Sequence, residues 1–257
     1  MARKIRRKSN SGIYHIMMRG VNKQTIFEED EDRYRFLETL KRYKRQSKFQ
    51  LYSYCLMNNH IHLLMKEDSE SISDSMKRIS SSYVYWYNFK YDRCGPLFQD
   101  RFRSECVDSQ SYFLKVLRYI HQNPLKAGLA KSVEDSKWTS IREYKLRYPF
   151  VDVDVALNLF SEDRAMALKY FLEYINEINE DECLEDIQRV RMNDDEVRAV
   201  FREKGISNIS TLQRMDKVER DRLLFIIKSL EGVSLRQISR ITGIPKSIIH
   251  RVHPPLE

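Results

Sequence analysis

"FQLYSYCLMNNHIHLLMK", residues 49–66, reads as two strands and the turn between them. Phe49 to Met57 and His60 to Lys66 are short apolar runs separated by the polar pair Asn58-Asn59, the pattern of a hairpin. Asparagine tolerates the positive φ that tight hairpin turns require, so left-handed backbone is expected there. Along the second strand, alternation sends His60 and His62 to one face and Ile61, Leu63 and Met65 to the other. Two imidazoles aimed at one point from a rigid element suit a metal. Taken alone they more commonly form a structural pair in which one ring is hydrogen-bonded and the other exposed.

Working outward, "GIYHIMMR" (12–19) reads as a further strand, and "FEEDEDRYRFLETLKRYKRQ" (27–46) as a helix. Its acids come first and its bases later, which complements the helix dipole, and Phe36, Leu37, Leu40 and Tyr43 form its apolar stripe. "SISDSMKRISSSYVYWYNFK" (71–90) repeats Ile72, Met76, Ile79, Tyr83 and Trp86 at helical spacing. Tyr85 lies off that stripe, where its ring either stacks on a base or faces solvent. "RFRSECVD" (101–108) returns to strand alternation, and a helix from Ser109 is expected to stop at Asn123, because Pro124 disfavours helix at the residue before it. This order predicts an α+β fold, an antiparallel sheet with covering helices on one side. Residues 126–150 are expected to pack back on it through Trp138 and Tyr144.

Composition agrees with a folded protein that binds polyanions. Of 257 residues 42% are hydrophobic, with 15 Tyr and 12 Phe, unlike the aromatic-poor composition of disordered chains. The four cysteines show no C-x-x-C spacing, so neither a disulfide framework nor a cysteine-rich zinc site is expected. No apolar run reaches the ~20 residues of a membrane helix, and "MARKIRRKSN" lacks the apolar stretch of a signal peptide; a cytoplasmic protein without a membrane partner is expected. The net charge of +8 is unevenly spread: residues 1–150 carry 29 Lys/Arg against 17 Asp/Glu, residues 151–200 carry 5 against 14, and residues 201–257 carry 11 against 6. Two basic regions flanking an acidic one are the footprint of a nucleic-acid binder.

"RYIHQNPLKAG" (118–128) sets Tyr119 and Asn123 at i and i+4 on one helix face, with His121 off it. A phenol beside an amide could join the two histidines. It could as well be a core tyrosine and an asparagine capping the helix before proline.

Taken together, the stretches resemble the single-tyrosine HUH transposases of the insertion-sequence type, most closely the repeat-associated tyrosine transposases. The resemblance runs from residue 12 to about 148 through five ordered blocks: "GIYHIMMRGVNKQTIFEEDED", "MNNHIHLL", "GPLFQDRFRSECVDSQSYF", "RYIHQNPLKAGL" and "KWTSIREY". The family has "MPNH" where this chain has "MNNH", a difference confined to the turn. The resemblance implies a ferredoxin-like HUH core over residues 1–150, with His60 and His62 as metal ligands, Asn123 as the third ligand and Tyr119 as nucleophile. It implies Mg²⁺ or Mn²⁺ as the cofactor and single-stranded hairpin DNA as the partner, in a monomer or a homodimer. The tyrosine would cleave and rejoin DNA through a 5′-phosphotyrosine, which conserves the bond energy. None of the seven glycines forms a nucleotide-binding phosphate loop. Lys4, Arg6, Arg7, Lys8, Arg19, Lys23, Arg101 and Arg103 are the candidate phosphate contacts.

Residues 151–190 read as an acidic helical connector, and residues 191–257 as an all-α module. Within the module, "SLRQISRITGIPKSIIHRV" (234–252) fits a helix-turn-helix: Gly243 at the turn, Ile238, Ile244, Ile249 and Val252 inward, and Lys246, Ser247, His250 and Arg251 outward, as a major-groove reader requires. It resembles the DNA-binding domain of the bacterial replication initiator, which implies double-stranded DNA as a second partner; a helical interaction module that never touches DNA has the same pattern. Two other functions fit the sequence, namely a DNA-binding regulator with a vestigial site and a phosphohydrolase that uses the histidines with water.

Overall fold

The computed structural model describes residues 6–146, 150–179, 181, 183, 192–206, 208, 209, 211–230 and 232–253. The chain divides into two compact units, Met1–Glu185 and Asp186–Glu257. The first is built on strands β1 (Ile13–Arg19), β2 (Gln50–Leu56), β3 (His60–Lys66) and β4 (Arg103–Cys106), in the order β2-β3-β1-β4 with every neighbour antiparallel. Helix α1 (Asp30–Ser47) joins β1 to β2, α2 (Ile72–Lys90) joins β3 to β4, and α3 (Gln110–Lys126) follows β4. Local chemistry starts each helix: Asp32 accepts from the Glu29 amide at 2.9 Å, Ser71 Oγ from Asp74 N–H at 3.2 Å, and Ser109 Oγ from Tyr112 N–H at 3.2 Å.

Helices cover both faces of the sheet, where the alternation predicted one. The central strands β1 and β3 are buried at every residue except their ends, and a strand buried on both faces needs two covers. Helix α3 lies on the side of His15 and His62, where Tyr119 meets their rings. The other side, with Ile16, Ile61 and Leu63 at 0% exposure, is closed by α1 and α2. These two pack antiparallel, with Arg42 against Ser82 and Lys90 against Asp32.

Three local expectations are corrected. Asn58 and Asn59 have no positive φ; the turn is held instead by Arg33, which donates to Asn58 Oδ1 at 2.6 Å, and by the Ile26 and Gly20 amides, which donate to the Asn58 and Asn59 carbonyls. Helix α3 continues through Pro124 to Lys126. A proline removes one helical donor, and Asn123 Nδ2 bridges that turn by donating to the Tyr119 carbonyl at 2.8 Å. Finally, α5 (Val153–Leu157) and α6 (Arg164–Asn176), within the stretch expected as a connector, belong to the first unit's core through Leu157, Phe171 and Ile175. Phe171 stacks on Tyr144 of α4 (Ile141–Leu146) with ring centroids 4.3 Å apart. Arg118 of α3 pairs with Glu177 at 2.6 Å and Asp181 at 2.7 Å, so the acids that follow α6 compensate a buried cation beside Tyr119.

Trp138 and Tyr144 return the chain to the sheet edge as expected: the Trp138 carbonyl accepts from Leu56 N–H at 2.9 Å, and Tyr144 Oη donates to the Tyr52 carbonyl at 2.7 Å. At the end of β1, a Cβ on Gly20 would stand 2.3 Å from the Gln24 carbonyl and 2.9 Å from Ile26. Gly20→Ala is expected to cost roughly 1–3 kcal/mol by overpacking, read as a lower urea midpoint with an unchanged slope.

The second unit has its own core of Val197, Phe201, Leu212, Leu224, Ile227, Ile238 and Ile249, held between α7 (Asp194–Glu203), α8 (Thr211–Arg214), α9 (Lys217–Ser229), α10 (Leu235–Thr242) and α11 (Lys246–Arg251). Among the described residues, no helix is long and apolar enough to cross a membrane.

Candidate active site

Strand β3 presents His60 and His62 on the side that α3 covers, their ring centroids 5.0 Å apart and their planes at 86°. Helix α3 brings Tyr119 to the same place, 5.5 Å from the His62 ring and 5.8 Å from that of His15, edge-on to both. One turn on, Asn123 shares a hydrogen bond with His60. Four residues from two distant stretches therefore meet because strand alternation and helix periodicity aim them at one point. Tyr119 is only 5% exposed.

Each imidazole of β3 has one nitrogen tied down. His60 Nδ1 lies 2.6 Å from Asn59 Oδ1, and His62 Nδ1 lies 3.0 Å from His15 Nε2. A ring nitrogen engaged in this way sets the tautomer and directs the opposite nitrogen, the arrangement ligand histidines use. His15 is itself fully buried, and its Nδ1 finds no hydrogen-bond partner among the described residues. Leaving a buried polar atom unpaired costs about 1–3 kcal/mol, which an apolar side chain there would avoid.

Burial keeps these rings neutral. Desolvation pushes His15 down to about 3, and, with the positive charge of Arg19 added, His60 to about 4. Desolvation and the neighbouring rings hold His62 well below the ordinary 6.5. Neutral imidazole is the form that binds metals. Among the described residues, no group of three or more His, Cys, Asp or Glu is placed to hold a metal. The available set is two anchored imidazoles and the Asn123 amide, nitrogen and oxygen donors that fit a divalent ion of intermediate softness.

His121 stays out of this set, as its place on α3 predicts: its Nδ1 lies 2.8 Å from the Leu117 carbonyl and its Nε2 3.0 Å from Ser140 Oγ. Burial lowers it to about 4. Because the folded value is depressed, the unfolded chain takes up the proton first. The stabilisation is complete above pH 6.5 and is lost as pH falls through the window down to about 4, a change of roughly 3 kcal/mol. Urea unfolding measured from pH 7 to pH 4 is expected to show this decline, and His121→Gln to flatten it.

The candidate phosphate contacts separate into groups. Arg19 stands opposite His60, and Arg103 opposite Met17, whose other neighbour is His62; both arginines flank the histidines on one face. Lys23 lies in the adjoining loop at φ 62, its carbonyl 3.4 Å from Asn59 Nδ2. Arg101 is exposed just before β4. Arg6 is anchored elsewhere, donating to the Phe102 carbonyl at 2.6 Å with its guanidinium 3.6 Å from that ring. With Arg7 and Lys8 it lines a groove shared with Glu67, Asp68 and Glu70 near the start of α2. Lys4 lies outside the described residues.

Three neighbours were not assigned a role from sequence. His15 lies on the neighbouring strand, two residues off register from His62, so only the pairing reveals the contact. Asn59 precedes His60 and was read as turn material alone. Lys126, whose Nζ lies 5.7 Å from the Tyr119 ring centroid, could have been found as the i+7 neighbour on the same helix face.

In the second unit, α10 ends at Gly243, with φ 71, and α11 begins three residues later. Lys246, Ser247, His250 and Arg251 are exposed while Ile249 is buried, so α11 turns a polar, basic face to solvent. Helices α10 and α11 pack on each other and on α9 around the same core.

Residues 8–123 match the model of a family described as transposase, IS200 like. No curated protein sequence matches the chain. Among solved structures it is similar to a REP-associated tyrosine transposase bound to a REP hairpin, at 19% identity over 60% of this chain and 93% of that one, with a TM-score of 0.50. It is also similar to a candidate transposase from Deinococcus radiodurans R1, at 17% identity over 47% of this chain and 97% of that one, with a TM-score of 0.34. At such identities the first likeness establishes the fold.

Proposed function

We propose, from the match of residues 8–123 to the IS200-like transposase family, that this chain is a metal-dependent single-strand DNA transposase that cleaves and rejoins DNA beside hairpins through Tyr119. The observation that carries the proposal is the meeting of His60, His62, Tyr119 and Asn123 at one point of the first unit. A structural histidine pair would not need a phenol and an amide beside it.

In this reading His60, His62 and Asn123 hold Mg²⁺ or Mn²⁺, which when bound supplies positive charge to orient the scissile phosphate and stabilise the charge developing on it. Asn59 and His15 orient the two rings from behind. Arg19 and Arg103 hold the flanking phosphates. The Tyr119 oxygen forms the new bond to phosphorus, the bond from phosphorus to the 3′ oxygen breaks, and the proton lost by the phenol leaves a free 3′-hydroxyl overall. Attack of a 3′-hydroxyl on the adduct reverses the step and rejoins strands. A free tyrosine with pKa about 10 is a weak nucleophile at neutral pH, so the attack would draw on the positive charge gathered here; Lys126 Nζ lies 5.7 Å from the Tyr119 ring centroid.

The exposed residues of α11 give the second unit a double-stranded DNA contact, with Lys246, Ser247, His250 and Arg251 toward the groove. Incubation of the full chain with single-stranded hairpin DNA and Mn²⁺ tests the proposal: a denaturant-resistant protein–DNA adduct is expected, and cleavage without an adduct would favour hydrolysis by water.

A further inference from the structure

The outer side of the α1–α2 pair carries a groove of about 760 Å³. It belongs to the layer opposite α3, away from Tyr119. Arg35 and Arg42 line it from α1; Lys77, Arg78, Tyr85 and Phe89 line it from α2. With Ser81, Ser82 and Trp86 between them, the α2 residues from Lys77 to Phe89 recur every three to four positions, one continuous stripe about 18 Å long at 1.5 Å per residue. Cations occupy one end of the stripe and rings the other. Phe89 is 82% exposed and Tyr85 79%, the two most exposed aromatic side chains among the described residues. They stand one turn apart, so their faces border the same strip of solvent. Arg35 lies over Trp86 with its guanidinium 5.7 Å from the ring, and Arg42 is positioned by donating to Ser82 Oγ at 2.8 Å. Arg78 pairs with Glu70 at 3.0 Å and Arg35 with Glu38 at 3.8 Å, exposed pairs of small worth that a phosphate can displace.

We propose that this groove binds a short run of unpaired DNA, with phosphates on Arg35, Arg42, Lys77 and Arg78 and bases on Tyr85 and Phe89. Exposed planar rings beside a row of cations are the combination that single strands require, because each base offers a face to stack and each nucleotide a charge to neutralise. A duplex hides its base faces and would leave both rings unused. An acidic polypeptide would engage the arginines but gain nothing from the rings. At 3.4 Å per stacked nucleotide the stripe accommodates up to about five nucleotides. The choice of DNA as ligand rests on the function proposed above, while the groove itself does not depend on the chemistry of Tyr119.

Binding of a 12-nucleotide oligothymidylate, which forms no hairpin, to the full chain in EDTA isolates this surface from any metal-dependent contact. Tyr85→Ala/Phe89→Ala is expected to weaken it at least fivefold with an unchanged melting temperature, because both rings are exposed; a smaller loss overturns the proposal. Photocrosslinks from a bromodeoxyuridine oligonucleotide are expected on residues 77–89, and crosslinks confined to other segments overturn it too. Equal competition by poly-glutamate would assign the groove to acidic polypeptides instead. If no hairpin forms an adduct yet the double variant loses oligothymidylate, the groove stands and the tyrosine chemistry falls; an adduct with unaltered oligothymidylate binding gives the reverse.

Discussion

Tyr119→Phe is expected to abolish the covalent adduct and lower hairpin cleavage by at least about a thousandfold, since a nucleophile removed from a coupled catalytic set takes nearly all the rate with it. The substitution deletes one oxygen from a side chain that packs edge-on against His15 and His62, so both ring contacts and the fold are retained. Mn²⁺ affinity and hairpin binding should therefore stay within about threefold of wild type. This separation of binding from chemistry distinguishes the two competing functions. A phosphohydrolase that activates water would keep its cleavage rate in Tyr119→Phe, and a regulator with a vestigial site would show none in either protein. The measurement is a denaturing gel of end-labelled hairpin DNA, with single-turnover rates for the wild type and the variant.

His60→Gln and His62→Gln should each lower Mn²⁺ affinity by at least about 100-fold, because loss even of outer partners of ligand histidines costs about 10–100-fold. Glutamine retains a polar group to meet Asn59 or His15, which limits the penalty of an unpaired neighbour. Calorimetric titration with Mn²⁺, in the absence of DNA, reads the effect without reference to cleavage. His121→Gln is the matched control: that ring lies on α3 with both nitrogens engaged by Leu117 and Ser140, and its loss should alter stability but leave Mn²⁺ affinity alone. Equal affinity in all three variants would remove the histidines of β3 from the metal site.

Much of the fold was legible because it depends on periodicity. The alternation of residues 49–66, the stripe of Ile72, Met76, Ile79 and Tyr83, and the charge order of residues 27–46 each name an element that the structure contains. The candidate site was legible in part, for the same reason: His60 and His62 share a strand face, and Tyr119 and Asn123 share a helix face, whatever the rest of the chain does. Turn chemistry was misread where long-range partners override local preference. Asn58 needs no left-handed backbone because Arg33 and Ile26 hold it from another element, and Pro124 does not end α3 because a buried helix keeps its direction with one donor missing. The acidic stretch after residue 150 looked like a connector because net charge conceals that Phe171 and Ile175 face inward and that Arg118 awaits Glu177 and Asp181.

By itself the sequence determined which residues share a face, since strand and helix periods are properties of the local backbone. Which faces meet was decided only in the tertiary structure. Strand register sets His15 behind His62, the layer order lays α3 over the histidines and α1 with α2 on the far side, and that arrangement leaves Tyr85 and Phe89 bare beside the arginines of α1. Those contacts join residues far apart in the chain, and packing both faces of one sheet is what selects them.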